Sequence, residues 1–148
     1  MLNDNIHGEA AQVVAIEDTA QHIALAPEDC FPAVFATARM IALMEVAAAR
    51  AMRPLLGSGQ LSVGVSLDVR HTAATPVGSQ VRATANYLGT EGKLLRFKVE
   101  AFDDAGLIGT GEHTRAIVDS ARLLSGAEKR RPHSSSTSAI ATSSKGIQ

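Results

Sequence analysis

The chain is 148 residues long, and its 14 Lys+Arg against 15 Asp+Glu give a formal net charge of −1, which excludes a strongly basic nucleic-acid binder. With 45% apolar and 20% charged residues it has material for one core and hardly for two, so wholesale disorder is excluded as well. The lone Cys30 excludes an intrachain disulfide framework and a Cys-based zinc site.

In chain order, the N-terminal MLNDNIHGEA lacks the basic and apolar regions of a signal peptide, and no later run reaches the ~20 apolar residues of a membrane span. A cytoplasmic protein with no membrane or nucleic-acid partner is therefore expected. A weak strand, Gln12–Glu17, comes first, with Gln21–Leu25 extending it. The segment from Ala36 to Leu56, ATARMIALMEVAAARAMRPLL, is built from strong helix formers, and Pro54 followed by Gly57 marks its exit. Between Ala36 and Met52 only Thr37, Arg39, Glu45 and Arg50 are polar, so the pattern predicts a helix buried on most sides.

After the Gly57-Ser58-Gly59 loop the period changes to two. Val63, Val65, Leu67 and Val69 alternate with Ser62, Gly64, Ser66 and Asp68. A turn at Thr75-Pro76-Val77-Gly78 leads to a strand over Val81–Leu88, and Gly89-Thr90-Glu91-Gly92 connects it to the alternating run Leu95, Phe97, Val99, Ala101. Asp103-Asp104-Ala105-Gly106 makes the next hairpin before a last strand over Leu107–Val118. From Ser125 the sequence SGAEKRRPHSSSTSAIATSSKGIQ has almost nothing to bury and reads as a disordered tail, 125–148, behind a domain of residues 1–124. Lys129, Arg130, Arg131 and Lys145 against Glu128 give the tail +3 and leave −4 on the domain; the basic cluster reads as a solvated one.

Strand, buried helix, then four hairpin-linked strands define an α+β protein with an antiparallel sheet. Curling the sheet around one long helix, the hotdog arrangement, suits a helix that is apolar nearly all round. The 25 Ala against five aromatics fit this close approach, and a core so thin per residue favours a partner subunit.

Glu45 stands out within IALMEVAAA. A carboxylate in such a setting must be paired, protonated or opened to a wet cavity, as a structural ion pair with Arg39, Arg50 or a strand Arg, or as an acid–base group. His71 ends a strand beside a turn, where it can reach a cleft and move protons near neutrality. Thr37 at the helix start either caps the first turn or uses its hydroxyl, with adjacent amides, to hold a carbonyl. Eight residues separate Thr37 from Glu45, ~12 Å along a regular helix, so a distorted helix start or a second subunit is needed for them to act on one group. His113 and Arg115 share one face of the last strand, which reads as solvated. Gly109-Thr110-Gly111 has no following helix and serves close packing rather than phosphate binding. Cys30 has no His beside it, and no spacing suggests a metal site.

Together, FPAVFATARMIALMEVAAARAMRPLL, SVGVSLDVRHTAATPVGSQV and IGTGEHTRAIV resemble the hotdog thioesterases typified by fluoroacetyl-CoA thioesterase, over roughly residues 31–120. The specific pieces are VFAT at Val34–Thr37, Glu45 in its helix and HTAATP at His71–Pro76. The resemblance implies a thioester hydrolase acting on an acyl-CoA, with no metal or redox cofactor and coenzyme A as part of the substrate. It implies catalytic roles for Thr37, Glu45 and His71, substrate contacts for Gly64 and Arg115, and a homodimer with active sites at the subunit interface. Phe31 matches the second of two lid phenylalanines in the fluoroacetyl-specific enzyme. The first falls near Glu28, and the connection is shorter. That departure points to a general short-chain acyl-CoA rather than strict fluoroacetyl selectivity. The competing expectations are a non-catalytic acyl-CoA or small-ligand binding protein on the same fold and, below it, an enoyl-CoA hydratase or dehydratase, for which no suitably spaced Asp–His pair is seen.

Overall fold

A computed structural model describes residues 5–132. Five strands, β1 (His7–Val13), β2 (Gln60–His71), β3 (Gln80–Glu91), β4 (Leu94–Asp103) and β5 (Gly106–Asp119), form one antiparallel sheet in the order β1-β3-β4-β5-β2. The long helix α1 (Thr37–Met52) lies in its concave face, packed chiefly on β1 and β3, and a second helix, α2 (Ser120–Lys129), follows β5. This is the hotdog arrangement. Among the described residues no helix is long and apolar enough to cross a membrane.

The three hairpin strands follow from their alternation and turn chemistry. Gly92 (φ 61°) closes β3 onto β4, and Asp103 Oδ1 accepts from the amides of Ala105 and Gly106 to close β4 onto β5. Inward residues Val81, Ala83, Ala85, Leu95, Phe97, Val99 and Ala101 meet Met40, Leu43, Met44, Ala47, Ala48, Ala51 and Met52 of α1 in one core. Small residues set the distance between the layers. A Cβ at Gly8 would collide with the Ala47 carbonyl and lie 2.6 Å from the Ala51 nitrogen, backbone that cannot move aside.

Four expectations are corrected. The first strand is His7–Val13 rather than Gln12–Glu17, and Gln21–Leu25 does not extend it, because Ile16–Asp18 and Gln21–Ile23 form 3-10 turns. Helix α1 is not buried nearly all round, since Ala38 and Ala42 are exposed and Val46 is 42% exposed. The alternation of β2 does not hold one face. A bulge between Gly64 and Ser66 inserts Val65 as an extra residue, so Gly64 opposes Arg115 while Leu67 opposes His113. Finally, α2 crosses the boundary placed after Leu124, started by Asp119, whose side chain accepts from the Arg122 amide. Residues 133–148 of the expected tail lie outside the described residues.

Candidate active site

The start of α1 is fixed by backbone rather than by a side-chain cap. Phe35 N donates to the Thr75 carbonyl, Ala36 N to the Asp18 carbonyl, and Val34 bridges to Pro76. Because Thr75-Pro76 follow His71 so closely, this pairing draws the first residue of the helix onto the end of β2. Thr37 Oγ1 and His71 Nδ1 are 2.8 Å apart. The hydroxyl expected as a cap makes no cap hydrogen bond.

The pair lines a cleft of about 390 Å³ with Pro32, Val34, Phe35 and Ala73 among its walls. Burial pushes the basicity of His71 below the usual histidine range, with the backbone of Ala73 opposing. The ring is therefore neutral at neutral pH and able to accept a proton. Its Nε2 is buried and has no hydrogen-bond partner among the described residues. A polar atom buried without a partner costs ~1–3 kcal/mol.

Glu45 lies two turns along α1, half-buried, and does not line this cleft. It faces Gly64, where a Cβ would collide with Glu45 Oε1 and lie 3.1 Å from His113 Cε1. The glycine thus makes room for a carboxylate. Among the described residues Glu45 makes no ion pair within 4.0 Å: Arg39 reaches Asp18 at 3.9 Å, Arg50 donates to the Glu9 carbonyl at 3.0 Å, and the strand residue Arg115 feels the Glu45 charge at longer range.

Arg115 and His113, read from sequence as a solvated face, are 6% and 0% exposed. The bulge in β2 and the presence of Glu45 beneath it account for this, since two polar side chains on an inward face are tolerable only with partners. Arg115 Nε donates to Ser62 Oγ at 3.0 Å, Nη2 to the Ser62 carbonyl at 2.9 Å, and Nη1 meets His113 Nε2 at 3.1 Å. His113 Nδ1 lies 2.9 Å from the Ser66 carbonyl. Phe31 is 47% exposed and is not among the cleft-lining residues, unlike its neighbour Pro32. Cys30 is an exposed free thiol.

The structure therefore joins Thr37 to His71, and sets Glu45 beside Gly64 and His113, as two groups separated along one helix. His113 is the member that sequence reasoning missed; its only signal was the i, i+2 spacing to Arg115 on one strand face.

Comparison with known proteins places the chain among thioesterases of this fold. Residues 14–121 match the model of the family described as fluoroacetyl-CoA-specific thioesterase. A fluoroacetyl-CoA thioesterase of Streptantibioticus cattleyicolor is 48% identical over 88 residues, 60% of this chain; the matched stretch spans 63% of that relative's length. A solved structure of the fluoroacetyl-CoA thioesterase FlK aligns with TM-score 0.83 at 36% identity, covering 89% of this chain and 99% of that one. A mutant of FlK in complex with acetyl-CoA aligns equally well, with TM-score 0.83, 36% identity and coverage of 88% and 100%. A Thermus thermophilus thioesterase superfamily member aligns with TM-score 0.75 at 28% identity, covering 83% and 88%.

Proposed function

The chain belongs to the fluoroacetyl-CoA-specific thioesterase family, and from that membership we propose that it hydrolyses the thioester of a small acyl-CoA to the free acid and CoA. The observation that carries the reading is the Thr37–His71 contact on an open cleft, made by two residues 34 positions apart. In the proposed reaction the C–S bond breaks and a C–O bond forms. Glu45 supplies the carboxylate, either attacking the carbonyl to give a mixed anhydride that water opens, or drawing a proton from the attacking water. His71, neutral at the outset, takes up a proton from water and hands it to the departing thiolate. The Thr37 hydroxyl, with the amides of Thr37 and Ala38 in the first turn of α1, holds the carbonyl oxygen as charge develops. A thioester is already activated, so the reading includes no metal or redox cofactor.

Two groups ~12 Å apart along one helix cannot share a substrate carbonyl. We therefore place the site between two copies, Thr37 and His71 from one and Glu45 from its partner. In support, β2 is a twelve-residue edge strand whose Leu61, Val65 and Leu67 are 49%, 53% and 37% exposed. A long apolar edge left unpaired invites pairing with another chain. A cytoplasmic location, where a lone exposed thiol stays reduced, belongs to the same proposal.

The acyl group is small but not restricted to fluoroacetyl. Phe31 and Glu28 are exposed and neither lines the cleft, and an FlK mutant binds acetyl-CoA. The test gives purified protein a panel of short acyl-CoAs, fluoroacetyl-CoA included, and follows free thiol. Several short acyl-CoAs turn over, and Glu45→Gln lowers kcat by about 10²–10⁴-fold, the range of one acid–base group. Saturable binding without thiol release would replace this reading with a ligand-binding protein.

A further inference from the structure

His113 sits at the centre of the buried polar group and has no part in the reaction as drawn so far. Its hydrogen bonds define its state. The Ser66 carbonyl can only accept, so the proton is on Nδ1; a guanidinium can only donate, so Nε2 is bare and accepts from Arg115 Nη1. The ring is thus neutral. Burial holds its basicity down, the Arg115 charge acts in the same sense, and the Ser66 carbonyl and Glu45 oppose.

The consequence concerns Arg115. Its guanidinium feels the Glu45 charge, yet the ion pairs among the described residues include none between them within 4.0 Å. Three directional bonds hold it instead, two to Ser62 on β2 and one to His113 on its own strand β5. Of these only the His113 bond engages Nη1. Glu45 Oε1 and His113 Cε1 meanwhile lie within 3.1 Å of one point, the place a Cβ on Gly64 would take. The ring stands beside the carboxylate and in contact with the cation.

We propose that His113 is a positioning residue for the hydrolysis: by accepting the Nη1–H of Arg115 it keeps the guanidinium in place and off Glu45, so that the carboxylate remains free of a direct ion pair and available to react. This rests on the thioesterase reading above. The groups facing the ring from each neighbouring element are Glu45 on α1, Arg115 on β5, and the uncharged Gly64, Ser66 and Leu67 on β2; its partner on β4 is Phe97. Among the described residues no other titratable group is bonded to Arg115.

Two variants separate the ring's two bonds. His113→Asn keeps an amide N–H where Nδ1 donates to Ser66 but places nothing at Nε2. His113→Gln places an amide oxygen where Nε2 accepts. With acyl-CoA turnover as readout, His113→Asn lowers kcat by about 100-fold, the effect of misplacing a reacting group by ~1 Å, at unchanged KM. His113→Gln stays close to wild type. A structural role alone would move the unfolding midpoint and leave kcat in place. Wild-type kcat in His113→Asn, a change confined to KM, or equal loss in both variants would overturn the proposal while leaving the thioesterase reading intact. The arrangement is also read without turnover, from ¹⁵N shifts of the ring in the wild-type protein. A neutral Nδ1–H ring with a hydrogen-bonded Nε2 supports it, and an Nε2–H tautomer overturns it whatever the enzyme hydrolyses.

Discussion

At the scale of single residues, the carboxylate and the imidazole of the candidate site each depend on a neighbour from another element. Glu45 is conspicuous because its neighbours in α1 are apolar, and His71 because it ends a strand. Their surroundings depend on two features without a local signature: the bridge of Val34 to Pro76, which draws Thr37 onto His71, and the bulge that turns Gly64 toward the helix. Gly64 gains a sharper role from this. It was matched to a substrate contact, and the group that fills its missing side chain is the Glu45 carboxylate. In Gly64→Ala the flexible carboxylate moves aside and the buried His113 ring, 3.1 Å from the new Cβ, must yield slightly, so folding stability falls by about 1 kcal/mol. The carboxylate is displaced, and kcat falls by about 100-fold. Urea unfolding and thiol release on the same preparation check both halves, and a stable, fully active variant would return Gly64 to a passive role.

At the scale of elements, β3, β4 and β5 were readable because period-two patterning and turn residues agree along them. β1 was not. HGEAAQV carries little strand propensity, and it is a strand because β3 pairs with it and because Gly8 admits α1. The inward polar pair of β5 was misread for a similar reason, since its partners come from α1 and from beyond the β2 bulge. That pair latches β2 to β5 through Ser62 and Ser66, and the latch has a pH dependence whose sign follows from His113. Burial lowers the affinity of the folded state for the proton, so the unfolded chain binds more protons as the ring titrates. Stability is therefore complete above the usual histidine value of about 6.5 and declines as pH falls below it, until the depressed folded-state value is passed. His71, also depressed by burial, adds a decline of the same sign. The urea midpoint of the wild type is expected to drop between pH 7 and pH 5, and to drop less in His113→Gln. Equal slopes in the two proteins would show that the ring is not buried neutral.

At the scale of the whole molecule, the abundance of Ala and scarcity of aromatics fit the proposed homodimer. Within one chain the small residues of α1 serve the sheet along one side, while Ala38, Ala42 and Val46 are left open to solvent and β2 ends the sheet with apolar side chains exposed. A homodimer through these surfaces would cover both and bring each Glu45 to the other chain's Thr37 and His71. Mixing discriminates this from a site built within one chain. Glu45→Gln and His71→Ala are each inactive alone, but a mixed dimer assembled across the interface holds one site with both residues intact. When equal amounts are co-unfolded and refolded together, half of the dimers are mixed and each has one working site of two, so about a quarter of wild-type activity returns. Sites contained within one chain give no recovery, because every chain then carries a defect in its own site.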